Sequence, residues 1–262
     1  MTRTGLLVAL ALAVVIGLVF GLYPELDLKI AGHYAAVGAD NIAFPRRADF
    51  WLWFAKEAAM IAIWVIIAPV IVAVVLKLLF PRRPMLVSGR AVVFLVATLA
   101  LGPGLVTNML LKDHWGRPRP IDVTQFRGAD AFVPWWDPRG KCPDNCSFVS
   151  GDASAAYWTL APAALAPPAW RPLAYGAALV FGTAVGFLRV MFGGHFPSDV
   201  AFAGIFTFLV IWAVYALLYR RPETAQADAA IENALARFAL GIGGLFGRGR
   251  EDKRDLKRDL AP

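Results

Sequence analysis

Three apolar runs, Gly5 to Leu22, about Ala58 to Leu79 and Ala91 to Leu111, constrain this chain more than any other feature. Each is close to the roughly 20 residues that a helix needs to cross the hydrocarbon core of a bilayer. None carries a charge in its central turns, Lys77 lying near an end of the second. Such runs are read as membrane helices. Composition agrees. The 262 residues are 58% hydrophobic and 17% charged, with 9 Trp and 18 Phe, whereas a soluble domain is about a quarter charged. The surface is therefore expected to face lipid, and neither a disordered chain nor a small disulfide scaffold fits.

Three further runs follow: Ala153 to Pro168, Leu173 to Leu188 and Val200 to Tyr219. The first two are rich in small residues, in "AAYWTLAPAALA" and "YGAALVFGTAVG", which let helices approach closely where lipid removes any hydrophobic drive between them. The expected fold class is all-α, a polytopic bundle of about six transmembrane helices. The first run begins with the basic "MTRT" of a signal peptide, but it is longer than a usual h-region and ends without a small-x-small cleavage site. It is read as an uncleaved helix.

A net charge of +7 would suggest nucleic acid in a soluble protein. Here the basic residues fall between and after the apolar runs, as topology-setting loops require, so no nucleic-acid partner is expected. The loop "KLLFPRRPMLVSGR" carries Lys77, Arg82, Arg83 and Arg90 without an acid, which places it in the cytoplasm. Both termini then lie on the cytoplasmic side. Lys112 to Gly151 and the connection around His195 lie on the opposite, periplasmic face of a bacterial-type inner membrane. Three parts are expected: membrane helices over 1–90, a core over 91–219, and a cytoplasmic amphipathic segment with a charged tail over 220–262. In the last, Ile231, Leu235, Phe238, Ile242 and Leu245 recur at helical spacing and suit the headgroup plane. The tail "GRGREDKRDLKRDL" reads as disordered.

Three polar segments sit beside these spans, where charge is costly and usually marks function. They are "KDHWGRPRP" with Lys112, Arg117 and Arg119; "CSFVSGDAS" with Ser150, Gly151 and Asp152; and "RVMFGGHFPSD" with Arg189, His195 and Asp199. All three fall on the same expected face. Converging cations with a Ser hydroxyl and a Gly amide make a cradle for a tetrahedral oxyanion such as phosphate, and they stabilise charge that develops on it. A His followed by an Asp gives an imidazole whose second nitrogen a carboxylate can hold, the arrangement of a nucleophile. Together these point to phosphoryl transfer. Cys142 and Cys146 share the long loop at C-x3-C spacing, either as a disulfide-closed turn or as two thiols.

The order K-x6-RP, SG and R-x5-H-x3-D resembles the three-part signature of the type 2 phosphatidic acid phosphatases, membrane lipid phosphatases related to the vanadium haloperoxidases. It is carried here by Lys112 to Arg119-Pro120, by Ser150-Gly151 and by Arg189, His195 and Asp199. The resemblance implies that His195 attacks phosphorus and becomes phosphorylated, and that Asp199 orients it. It also implies that Lys112, Arg119, Arg189, Ser150 and the Gly151 amide hold the phosphate oxygens. No metal or cofactor is implied. The family's second motif usually reads P-S-G-H, the His protonating the leaving oxygen; Val149 and Asp152 replace its ends here.

Three routes to that proton stay open: Asp152 itself, His114, or a leaving group that needs less protonation. A carboxylic acid donates only if its neutral form is favoured, which burial promotes and nearby cations oppose. The expected function is an integral membrane lipid phosphatase taking a terminal phosphate from lipid A, undecaprenyl diphosphate or a phospholipid phosphate. The basic loop and "WGRPRP" are similar to lipid A phosphatases. A lipid phosphotransferase and a silent lipid-binding or transport protein are the alternatives, the intact His195 and Asp199 weighing against silence.

Overall fold

The computed structural model describes residues 1–36, 44–220 and 227–245. Its elements are α1 Arg3–Leu22, α2 Glu25–Gly32, α3 Phe50–Leu79, α4 Gly89–Lys112, α5 Gly151–Tyr157, α6 Leu160–Leu165, α7 Arg171–Met191, α8 Pro197–Tyr219 and α9 Ala227–Leu245. No strand is present among the described residues, only a single bridge between Val123 and Asp130. Among the described residues five helices, α1, α3, α4, α7 and α8, are long and apolar enough to cross a membrane. The sixth expected span is different. Ala153 to Pro168 folds as the short α5 and α6, because Pro162 lacks an N–H and the chain turns at Trp158 and Thr159. α3 begins at Phe50, a full two turns before the expected start, with Asp49 Oδ1 capping it by accepting from the Trp51 and Leu52 amides. Lys56 and Glu57 lie within that helix as an adjacent ion pair.

The chain contacts divide into two units. The first comprises Met1–Ile63 and Ala97–Val214. Within it α1 buries only Ala9 and presents Leu7, Val14 and Leu18 outward, as a helix solvated by lipid does. α5, α7 and α8 pack closely through small residues: a Cβ on Gly182 would overlap the Tyr157 ring, and one on Gly186 would overlap Val200. Buried hydroxyls tie the helices together. Thr107 of α4, Ser154 of α5 and Thr207 of α8 form a chain with separations of 2.9 and 2.7 Å, and Trp158 Nε1 donates to Thr98 Oγ1 at 3.0 Å. From Ala100 to Lys112 α4 is wound as a π-helix around Pro103, whose carbonyl accepts from Asn108 Nδ2 at 2.7 Å. Wide winding of this kind is rare and tends to occur at functional sites.

The second unit comprises Trp64–Val96 and the chain from Tyr215 onward. Here α9 is fastened by charge to the basic loop. Lys77 Nζ donates to Glu232 Oε1 at 2.8 Å, and Arg90 Nε donates to Asp228 Oδ2 at 2.9 Å. Ile231 packs against Gly89 while Phe238 stays exposed. A helix therefore occupies this segment, held by ion pairs that its apolar spacing did not show. The charged tail lies outside the described residues.

Candidate active site

His195 sits in the tight turn from α7 to α8, 2% exposed. Two glycines stand immediately before it. Gly193 has φ +64°, and a Cβ there would overlap Phe44; a Cβ on Gly194 would lie 2.7 Å from Arg189 Nη2. The imidazole Nδ1 is 2.7 Å from the Ser147 carbonyl oxygen. A carbonyl can only accept, so Nδ1 carries the hydrogen and Nε2 keeps its lone pair. Burial, then the charges of Arg189 and Arg119, hold this ring well below its ordinary value near 6.5, outweighing the Ser147 bond. His195 is thus neutral at pH 7, in the tautomer that exposes Nε2.

Asp199 stands one turn on, but its Oδ2 is 3.9 Å from His195 Nδ1, beyond hydrogen-bond reach. It acts on the residue that holds the ring. Ser147 Oγ donates to Asp199 Oδ2 at 2.5 Å, and the Phe196 amide donates to the same oxygen at 2.7 Å. Its other oxygen accepts from Arg117 Nη1 at 2.5 Å. Arg117 is fully buried and does not join the cationic cradle. Its remaining donors go to Asp27 Oδ2 at 2.7 Å, Ser198 Oγ at 2.9 Å and the Val133 carbonyl at 2.9 Å, with the Phe196 ring 4.4 Å beneath it. Asp27 of α2 also accepts from the Ser198 amide and hydroxyl at 3.0 and 2.6 Å. An Asp27–Arg117–Asp199 triad therefore braces the start of α8, where each charge has the several partners that burial demands.

Around His195 lie the other expected residues. Arg189 projects from the last turn of α7, its Nε 3.2 Å from Asp152 Oδ2 but angled so that the buried N–H makes no hydrogen bond. Lys112 ends α4 within electrostatic reach of Arg119, Asp152 and Arg189. Burial first, and Arg189 next, lower the proton affinity of Arg119, as crowding of cations demands. Ser150 is buried and caps α5, its Oγ accepting from the Ala153 amide at 3.4 Å. Gly151 is a close-approach position: a Cβ there would stand 2.9 Å from Asn108 Oδ1 and 3.7 Å from Lys112 Nζ. Asp152 is open, its side chain 35% exposed. His114 is exposed in the loop after α4.

One choice left open by the sequence is resolved by the fold. Cys142 and Cys146 are disulfide-bonded. Trp135 packs on Phe202 at 4.3 Å and lies near Gly17 of α1, while Trp136 is exposed. Sequence reasoning missed Asp27, Ser147, Asn108 and the role of Arg117. Of these only Asp27 carried a signal, an acid close behind a membrane span.

A bundle of helices long enough to cross a membrane thus holds a buried, neutral histidine within electrostatic reach of Arg189, Arg119 and Lys112, a set of groups suited to phosphate. Residues 91–223 match the family model described as "PAP2 superfamily". The chain is 36% identical over 226 residues to a lipid A 4'-phosphatase of Francisella tularensis subsp. novicida (strain U112), covering 85% of this chain and 100% of that protein. It is also 35% identical over 133 residues to a lipid A 4'-phosphatase of Rhizobium leguminosarum, covering 51% of this chain and 57% of the relative. A lipid A 4'-phosphatase of Rhizobium etli is 37% identical over 133 residues, 51% of this chain and 52% of its own length. No solved structure matches the chain. This protein belongs to the PAP2 superfamily, the type 2 phosphatidic acid phosphatases.

Proposed function

We propose that this protein is a lipid phosphatase that removes a phosphate monoester from lipid A, at the 4' position that the Francisella relative's name specifies, through a phosphohistidine intermediate. The observation that carries the reading is His195: a neutral imidazole whose Nδ1 hydrogen is committed to a carbonyl, with Nε2 free beside Arg189, Arg119 and Lys112. Nε2 attacks phosphorus and the bond to the sugar oxygen breaks. Water then attacks the phosphorus of phosphohistidine, giving a proton to the carboxylate that protonated the leaving oxygen, returning the electron pair to Nε2 and releasing inorganic phosphate. Lys112, Arg119, Arg189, Ser150 and the Gly151 amide hold the equatorial oxygens and offset their growing charge.

The leaving oxygen takes its proton from Asp152 in this reading. In the resting site the Asp152 carboxylate faces Arg189. Asp152 thus stands beside Arg189 at the edge of the cradle, within reach of the leaving oxygen of a bound phosphate monoester. The site would face the periplasm of a bacterial inner membrane. The Cys142–Cys146 bond, in the same loop as Lys112 and Arg119, supports that side, since disulfides persist in oxidising compartments.

The test is phosphate release by the purified full chain from lipid A, set beside phosphatidate, phosphatidylglycerol phosphate and undecaprenyl diphosphate, with a chelator present. His195→Ala is expected to abolish release and the acid-labile phosphoenzyme while phosphate still binds. Full release by that variant would refute the nucleophile. Release from the other lipids but not from lipid A would refute the substrate.

A further inference from the structure

The five-residue turn closed by Cys142 and Cys146 touches the site at more points than a loop staple needs. Arg119 Nε and Nη2 both donate to the Asn145 carbonyl, at 3.0 and 2.6 Å. The Cys146 amide donates to the Lys112 carbonyl at 3.2 Å and the Cys142 amide to the Gly116 carbonyl at 3.0 Å. The turn is thus laced along the segment that carries both cations of the first motif. Its neighbour Gly140 lies so close to Gly116 that a Cβ on either would overlap the other's backbone. Asn145 has φ +48°, a left-handed conformation that turns its carbonyl toward Arg119.

A free guanidinium on a long side chain has several rotamers; one whose Nε edge is bound to a fixed carbonyl has far fewer, and it presents Nη1 in a set direction. We infer that the disulfide-closed turn is a positioning element for phosphate binding: the Cys142–Cys146 bond fixes the Asn145 carbonyl, and that carbonyl aims Arg119 at the phosphate. This rests on the reading of Lys112, Arg119 and Arg189 as a phosphate cradle. The nucleophile does not depend on the bond. Ser147, which holds His195, is fixed separately by its amide to the Arg117 carbonyl at 2.8 Å and by its hydroxyl to Asp199. Reduction therefore acts on binding and leaves the attack geometry in place, which makes phosphate affinity, and so the active enzyme, responsive to the redox state of its compartment.

The experiment measures inorganic phosphate binding and lipid A turnover by the full chain, oxidised and after treatment with a phosphine reductant, with thiol labelling to verify two free cysteines. The expected result is about tenfold weaker phosphate binding and a similar rise in KM on reduction, the loss of a charge-assisted contact, with kcat changed less than threefold. Cys142→Ser/Cys146→Ser should match the reduced enzyme and ignore the reductant. In Arg119→Ala, reduction should have no further effect on binding, because the residue it positions is gone. An equal loss in Arg119→Ala and wild type, or a loss confined to kcat, overturns the proposal, as does a reduced enzyme that binds phosphate like the oxidised one. Should reduction unfold the protein, Asn145→Val keeps the disulfide but opposes the left-handed turn; it should weaken phosphate binding in the wild-type background and not in Arg119→Ala, and unchanged binding overturns the proposal. Absence of phosphate binding by the oxidised wild-type protein would instead refute the cradle on which the proposal stands.

Discussion

Arg117 and Arg119 stand two residues apart in "RPRP", and the structure gives them different surroundings. Arg117 is fully buried between Asp27 and Asp199, with four hydrogen-bond acceptors within 2.9 Å. Arg117→Met keeps most of the volume and removes the charge, leaving two carboxylates in the interior with no counter-ion. Breaking a buried pair from one side costs about 3–5 kcal/mol, a large part of the roughly 5–15 kcal/mol that holds a typical protein folded. For a chain of this size the melting temperature should fall on the order of 10 °C. The reaction should suffer too. Freed of Arg117, Asp199 swings or takes up a proton, Ser147 loses its hold, and the His195 ring loses its direction. A misdirected nucleophile costs on the order of a hundredfold in rate. In the proposed cradle, however, inorganic phosphate would meet Lys112, Arg119 and Arg189 and not Arg117, so its affinity at a temperature where the variant is folded should stay within about threefold. Arg119→Ala should show the reverse pattern, lost affinity with little loss of melting temperature. Thermal denaturation, phosphate titration and single-turnover release on the two variants separate the roles. A stable, fully active Arg117→Met would refute the argument that a buried triad sets the nucleophile.

Other outcomes follow from the same geometry. Because His195 is neutral well below pH 6.5, kcat/KM corrected for the substrate's own ionisation near pH 6 should stay level as pH falls from 8 through 6.5; an acid limb centred at 6.5 would show an ordinary histidine instead. Gly194→Ala sets a methyl 2.7 Å from Arg189 Nη2 and should weaken phosphate binding severalfold by displacing the guanidinium, as read by the same titration; unchanged affinity would mean Arg189 can shift without leaving the cradle. Asp152→Asn should lower kcat about tenfold to a hundredfold for lipid A but spare a substrate with a phenol-like leaving group, and equal losses on both would remove Asp152 as the acid.

The spans were legible because lipid imposes one simple requirement, length without charge, and α1, α3, α4, α7 and α8 meet it. The α5–α6 segment was not, since apolar composition alone does not distinguish one long helix from two short ones separated at Trp158 and Thr159. The site divides in the same way. Lys112, Arg119, Ser150, Arg189 and His195 could be proposed from the sequence because chemistry dictates the residue types of a phosphate site and local turns dictate their spacing. What holds them was unreadable for a physical reason: the holding groups are generic. The His195 ring is held by a backbone carbonyl, which every residue possesses, and Arg119 is bound by another, so neither leaves a mark in side-chain identity. Asp27 is 90 positions from Arg117 and 171 from Ser198, and a pairing at such separations has no local pattern. The Asp199 case shows how this misleads. Spacing alone makes a carboxylate four residues after a histidine its natural partner. The fold inserts Ser147 between them, so that Asp199 governs the ring at one remove, and a substitution at Ser147 that keeps the carbonyl but deletes the hydroxyl reports on Asp199 alone. Ser147→Ala therefore isolates the part of catalysis that the buried triad supplies. It leaves the Nδ1 hydrogen bond in place, so its rate deficit measures orientation without any change of tautomer.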